Sequence, residues 1–287
     1  MRNIEDYKKI IGSNIQELDG RLATSHEQRQ ISIAMLCKRV AEERGEGRIA
    51  FAYREICECL GTPDRKDKAR VCACLADCRT AGVLTEIDLF GEGEAAAAGT
   101  QGRIAYVRNR RNDDAFMAFS ECVKGARAHY TPSFSEACEA VVDNKCEFCI
   151  LPIENDKDGK LYSFYAMLDR YELKIRDTAE ILSEDESETT VFALVGRSVS
   201  AVRRTDGALR FEFSVVGESA NVIGEILEAA ECLGASVSSV GTQPVPYDGR
   251  SMRIYFAVDL NDTSPIPIAM YLCMEHNGYT PLGLYKT

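Results

Sequence analysis

The chain has 287 residues, 45% of them hydrophobic and 28% charged, with a formal net charge of −11. That length allows two or three compact domains, and the composition is that of a soluble globular chain. No apolar run approaches the about 20 residues that a membrane-spanning helix needs, and the acidity argues against nucleic-acid binding over the whole surface while leaving a local basic face open.

The start, M-R-N-I-E-D-Y-K-K, has no apolar core and no small-residue cleavage site, so no secretory leader is expected and the cytosol is the default location. Twelve cysteines then read as reduced thiols. Cys57/Cys59 and Cys72/Cys74 are two apart on predicted helices, which points each pair of thiols apart, and Cys146 and Cys149 straddle a strand start and should face opposite sides of a sheet. Small core residues are therefore expected, not a metal or redox site. The three histidines, His26, His129 and His276, have no Ser, Cys or metal-type spacing around them. No cofactor and no metal is expected.

Ile4, Tyr7, Ile11, Ile15, Leu18 and Leu22 recur at helical spacing and predict an amphipathic helix. A second helix is predicted over Ile31–Val40, ended by Gly45 and Gly47, then a short extended piece at Arg48–Phe51. Helices follow over Tyr53–Leu60, stopped by Gly61-Thr-Pro63, and over Asp67–Thr80, with Val71, Leu75 and Cys78 on one face. Gly82–Ile87 reads as a strand, a Gly/Ala loop follows, and Arg103–Val107 is a second strand. This order, with E-I-x-x-x-L-G, then V-x-x-x-L, then G-V-L, resembles a winged helix-turn-helix. The resemblance implies a third helix in a DNA major groove, with Arg65, Lys66, Lys68 and Arg70 at its start for phosphate contact, against Asp64 and Asp67. The region is slightly acidic as a whole, which suits protein contacts or dimerisation instead. A helical chorismate mutase domain is the rival resemblance, but cations on matched helix faces are not found at that family's spacing.

From Cys146 to Lys160 the sequence is C-E-F-C-I-L-P-I-E-N-D-K-D-G-K. The apolar run reads as a buried strand that stops in Pro152, Glu154, Asn155 and Gly159, placing a polar loop at the carboxyl end of a sheet, where open α/β sheets bind ligands. Ile104-Ala-Tyr106, a helix from Asp113 to Val123, Ala128-His-Tyr130, Phe134–Val142, Pro152-Ile-Glu-Asn155 and Gly159 follow in the order and spacing of the prephenate dehydratase family, which this stretch of roughly 70 residues resembles. A helix over Leu161–Leu168 and a strand over Tyr171–Ile175 continue the pattern. Arg103–Val107 fits either as the last strand of a wing or as the first of this domain.

The departures from the family bear on activity. Its first loop is Gly-rich so that the backbone can approach an anionic substrate; here it is Arg108-Asn-Arg-Arg-Asn-Asp-Asp114. The Ser after P-I-E-N is Asp156. The family's T-R-F strand aligns with Thr190, Val191 and Phe192, so the proton-donor position Thr190 is kept while the arginine that would bind a carboxylate is Val191. A second lobe of about a hundred residues should precede that strand, and Leu182–Glu188, acidic and expected to be exposed, stands in its place. Glu154 and Asn155 then read as turn-formers.

Arg210–Val216, Asn221–Leu233, Ser236–Val245, Met252–Asp259, Pro265–Asn277 and Pro281–Tyr285 read in order as βαββαβ, a ferredoxin-like unit. With its ending Leu282-Gly-Leu-Tyr285 it resembles an ACT domain. The resemblance implies a phenylalanine site at Asn221, Val222 and Ile223 and at Gly241, Thr242, Gln243 and Pro244, of which only Pro244 keeps the family's residue. It also implies a homodimer.

The fold class expected is α/β and α+β: a helical, winged-helix-like domain over 1–102, a single-lobe α/β unit of the periplasmic-binding-protein type over 103–200, and an ACT domain over 207–287. The function expected is that of a non-catalytic regulatory protein linked to aromatic amino-acid metabolism, with an amino acid as effector and DNA as a second partner. The alternatives are a working prephenate dehydratase and an accessory subunit of a separate enzyme.

Overall fold

The computed structural model describes residues 4–44, 49–78, 100–183, 187–199, 207–218, 221–245 and 250–287. The chain divides into two compact units, Met1–Val83 and Leu84–Thr287. Among the described residues no helix is long and apolar enough to cross a membrane.

The first unit holds α1 (Ile4–Arg44), α2 (Ile49–Leu60) and α3 (Arg65–Asp77). The two helices predicted over residues 4–40 are one helix of 41 residues. The intervening A-T-S-H-E-Q-R-Q has no apolar stripe, yet it contains neither Gly nor Pro, so nothing interrupts the backbone ladder. The extended piece at Arg48–Phe51 is a second correction: α2 begins at Ile49. A short apolar run is ambiguous in period, and burial of Ala52, Tyr53 and Ile56 against α1 and α3 decides for the helix. Ile33, Cys37 and Val40 of α1 and Val71, Cys72 and Leu75 of α3 complete this core. Asp64 caps α3 by accepting from the Asp67 amide at 2.8 Å. Asp67 itself is buried and takes Arg29 bidentately, from Nε at 3.2 Å and Nη2 at 2.6 Å. The expected wing strand Gly82–Ile87 and its loop lie outside the described residues.

The second unit is built on one mixed sheet. In chain order it holds β1 (Arg103–Val107), α4 (Arg110–Ser120), β2 (Arg127–Thr131), α5 (Phe134–Val142), β3 (Phe148–Asn155), β4 (Gly159–Lys160), α6 (Tyr162–Tyr171), β5 (Lys174–Leu182) and β6 (Thr189–Gly196). It continues with β7 (Leu209–Gly217), α7 (Asn221–Cys232), β8 (Ser236–Pro244), β9 (Met252–Asp259), α8 (Ile266–Glu275) and β10 (Thr280–Lys286). The strand order is β2-β1-β3-β6-β5-β10-β7-β9-β8, with β4 beside β3. This is a mixed α/β fold. Arg103–Val107 pairs in parallel with β2 and β3, so it belongs to this sheet and to no wing.

The side chains of β3 alternate between two cores, as period two requires. Phe148 and Ile150 pack with Ile104, Tyr106 and Phe119 under α4. Cys149, Leu151 and Ile153 pack with α5 and α6. Cys146 joins Cys149 in that second core, against the expectation of opposite faces. Cys146 precedes the strand, so strand alternation does not govern it. All twelve cysteines are free thiols.

The strands and helices from β7 to β10 run βαββαβ, and their order β10-β7-β9-β8 is antiparallel throughout. That is the ferredoxin-like arrangement. The core under α6 runs on into it, because Tyr255, Leu282 and Tyr285 pack with Ile175, Ala193 and Val195.

Candidate functional site

The carboxyl ends of β1, β2 and β3 and the amino ends of α4 and α5 meet at one rim of the sheet. Asn109 accepts from the Asn112 amide at 2.9 Å and starts α4, while Asn112 Nδ2 donates to the Val107 carbonyl at 2.6 Å. The expected loop Arg108–Asp114 is therefore two residues long, and the rest is the first turn of a helix. The cause is the Asn109 cap, a strong helix start that the comparison with a Gly-rich loop hides. Ser133 caps α5 in the same way, its Oγ accepting from the Glu136 amide and donating to Glu136 Oε1, both at 3.2 Å.

The Glu154-Asn155-Asp156 turn is closed by its own side chains. Asn155 Oδ1 accepts from the amides of Lys157 at 3.0 Å and Asp158 at 2.6 Å. Gly159, at φ +65, turns the chain back into β4. Asp156 Oδ2 accepts from the Thr189 amide at 2.7 Å and ties the turn to β6.

The structure brings Asn155 and Thr190 directly opposite each other and sets Glu154 opposite Val191. Adjacent positions in a strand point to opposite faces, so Thr190 faces α4 while Glu154 faces the side of Lys160. Glu154 and Thr190 cannot act on one ligand from one face. Thr190 is buried, and its Oγ1 lies 3.4 Å from Arg111 Nη1. Arg111 Nη2 pairs with Glu188 Oε2 at 2.9 Å, and Lys157 Nζ lies 3.6 Å from the same oxygen. The hydrogen bond from Arg111, followed by the Lys157 charge, holds the Glu188 carboxyl below the usual range. Glu188 was expected in an exposed acidic stretch; its side chain is only 14% exposed and turned inward, because two cations from the rim attract it. A cation therefore does reach Thr190, from α4 and not from β6, and it is already neutralised.

The other predicted residues lie elsewhere. Asn221 is exposed at the start of α7, with Val222 and Ile223 half-buried behind it. On β8, Gln243 Oε1 accepts from Tyr255 Oη at 3.2 Å, and a Cβ on Gly241 would fall 1.6 Å from Tyr162 Oη. These two positions are covered by α6 and β9. Thr242 and Pro244 face outward. In the helical unit, Arg65 and Lys66 are exposed at the start of α3, while Lys68 and Arg70 are half-buried and Arg70 Nη1 lies 3.9 Å from Asp67 Oδ1. Among the described residues no group of His, Cys, Asp or Glu is placed to hold a metal ion.

One further polar cluster is assembled by the fold from residues far apart in the chain. Lys160 Nζ lies 2.9 Å from Glu212 Oε1 and 3.0 Å from Tyr165 Oη. Tyr165 and Tyr285 both donate to the Glu212 carboxylate, at 2.9 and 2.8 Å. The available signal was Glu212 itself, a carboxylate set between Phe211 and Phe213 in a strand whose middle is buried on both faces.

No family model matches the chain, and no curated protein matches it in sequence. Solved structures do match. Prephenate dehydratase from Streptococcus mutans aligns with a TM-score of 0.54 at 14% identity, covering 64% of this chain and 97% of that one. Prephenate dehydratase from Arthrobacter aurescens, in complex with L-Phe, aligns at 0.52 and 15% identity, covering 64% and 90%. GqqA, described as a novel type of quorum quenching acylase, aligns at 0.51 and 17% identity, covering 65% and 96%. At these identities the likeness is one of fold: the chain has a prephenate dehydratase-like fold.

Proposed function

We propose that the protein is a non-catalytic, dehydratase-like regulatory protein linked to aromatic amino-acid metabolism. Its βαββαβ unit acts as an ACT-type amino-acid sensor, and its helical unit contacts DNA through the start of α3. The observation that carries the non-catalytic reading is the placement of Glu154 and Thr190 on opposite faces of the sheet. Two further features support it. Arg111, the cation nearest the site of Thr190, is paired with Glu188. Only residues 183–188 connect the adjacent strands β5 and β6, where a second lobe would have to be inserted to make an interlobe cleft. A homodimer through β8 is supported by that strand's position at the edge of the sheet, its lack of any charged residue and its exposed Val240, since charges are a common guard on natural edges.

Purified full-length protein is expected to form no phenylpyruvate from prephenate above the buffer rate. In light scattering it is expected to run as a dimer. At low salt it is expected to retard its own upstream DNA and to release it as salt rises. Phenylpyruvate formation overturns the first point in favour of a working prephenate dehydratase. A monomer overturns the edge pairing, and failure to retard DNA at low salt overturns the DNA contact.

A further inference from the structure

At the opposite end of the sheet, where β1 and β3 begin, a cleft of about 940 Å³ opens beside the residues that follow α4. Its floor is Phe148 and Arg176. Arg176 reaches in from β5 with its guanidinium 5.6 Å from the centre of the Phe148 ring. Its Nη1 donates to Ser198 Oγ, but its buried Nε has no acceptor. Among the described residues no carboxylate comes within ion-pair distance of it. Glu147 acts on it through space, yet Glu147 Oε2 already accepts from the Gly102 amide at 2.6 Å. Burial disfavours the charged form of Arg176, and the Glu147 charge, acting without a direct ion pair, offsets only part of that cost. A half-buried cation left with one edge unbonded is matched by an anion that presents two oxygens in a plane.

The rest of the lining narrows the class of that anion. Val123, Ala126 and Phe148 form an apolar wall, while Lys124 and Arg127 stand at the rim, Arg127 anchored to the Gln101 carbonyl at 3.1 Å. A carboxylate suits a single desolvated guanidinium, whereas a phosphate dianion calls for more donors than the floor supplies. We propose that this cleft binds a small organic acid, with its carboxylate on Arg176 and its hydrocarbon part on Phe148, Val123 and Ala126. The site is separate from the Thr190 rim, and the proposal does not depend on the function argued above.

The test is calorimetric titration of the full-length protein with phenylacetate, hexanoate, their neutral amides and inorganic phosphate. Both carboxylates are expected to bind saturably, the amides at least about ten-fold more weakly, and phosphate more weakly than either acid. Arg176→Gln is expected to weaken carboxylate binding at least about ten-fold, and Arg176→Lys, which keeps the charge but loses the planar fork, by a smaller factor. Ala126→Phe, which fills the apolar wall, should abolish binding without touching a charge. Arg176→Gln removes a cation that makes no direct ion pair among the described residues, so its melting temperature is expected to stay near that of the parent. If it fails to fold, Arg176→Lys and Ala126→Phe decide the matter. Carboxylates that fail to bind, amides that bind as well as the acids, or affinity that survives both Arg176→Lys and Ala126→Phe would overturn the proposal. Phosphate binding more tightly than either acid would overturn the assignment to an organic acid.

Discussion

Glu212→Ala is expected to destabilise the protein by about 3–5 kcal/mol, the usual result of removing one partner from a buried ion pair. The side chains of Glu212 and Lys160 are only 4% and 11% exposed, so neither charge is well solvated when the other is gone. Without the carboxylate, the Lys160 ammonium keeps, among the described residues, only the Tyr165 hydroxyl and ring as direct contacts, and the Tyr165 and Tyr285 hydroxyls lose their acceptor. The double variant Lys160→Met with Glu212→Leu is expected to recover most of the loss, because it removes both desolvation penalties together. The urea midpoint, at unchanged slope, reads the effect. A loss below about 1 kcal/mol for Glu212→Ala would mean that water replaces the carboxylate, so that the cluster is not a dry one.

The two tyrosines add a pH signature. Burial first, and then the Glu212 charge, pushes both phenols well above their ordinary value. A group raised in the folded state contributes stability below its unfolded pKa, about 10 for tyrosine, and that contribution is lost as pH rises. The parent's urea midpoint is therefore expected to hold below about pH 10 and to fall above it. Glu212→Ala, which removes the charge and the hydrogen bond that add to burial, should show a shallower fall.

Much of this fold is legible in the sequence because its patterns are local. The strand Phe148–Asn155 announces itself by an apolar run that stops at a polar turn, and the βαββαβ order of residues 209–286 by alternating periods with Gly and Pro between them. Three features were hidden for different physical reasons. The junction inside α1 is polar, and polar residues carry no period even where the helix is continuous. The Arg108–Asp114 stretch lacks the glycines of a ligand loop and so suggests a degraded one, while its Asn109 cap acts through one side-chain hydrogen bond. The clusters around Glu212 and Arg176 are assembled across long sequence separations, Lys160 with Glu212 and Arg176 with Phe148 and Ser198. Only the sheet order makes such pairs neighbours. The candidate rim shows the limit most plainly: the motif residues lie where the sequence puts them along the chain, but the strand pleat sends Glu154 and Thr190 to opposite sides.

That sheet order also fixes where a small change should do most harm. Strand β10 lies between β5 and β7, so it is the seam between the parallel-strand region and the βαββαβ unit. Its one registered partner in β5 is Ile175, opposite Gly283. A Cβ at Gly283 would fall 2.7 Å from Ile175 Cβ and 2.8 Å from the Ile175 carbonyl oxygen. One of those obstacles is backbone, which cannot rotate away as a side-chain tip can. Gly283→Ala is expected to cost about 1–3 kcal/mol, the range for overpacking a tight interior, and Gly283→Val more. The loss should also have a distinctive form. The core beneath α6 crosses this seam through Leu282 and Tyr285, so forcing β10 away from β5 separates two parts that otherwise melt together. Unfolding followed by far-UV circular dichroism and by tyrosine fluorescence should then show one more transition than the parent, whose helical unit is separate from this seam. Gly224→Ala is the control: it lies in α7 with nothing within 4 Å of its missing Cβ, and should stabilise by about 0.5–1 kcal/mol through helix propensity alone. Transitions for Gly283→Ala unchanged from the parent's in number and midpoint would show that the irregularity between Pro281 and Gly283 absorbs the added methyl. The seam would then be pliant, and a signal from the βαββαβ unit could not reach the Thr190 rim by displacement of β10 against β5, because a pliant seam takes up the movement instead of passing it on.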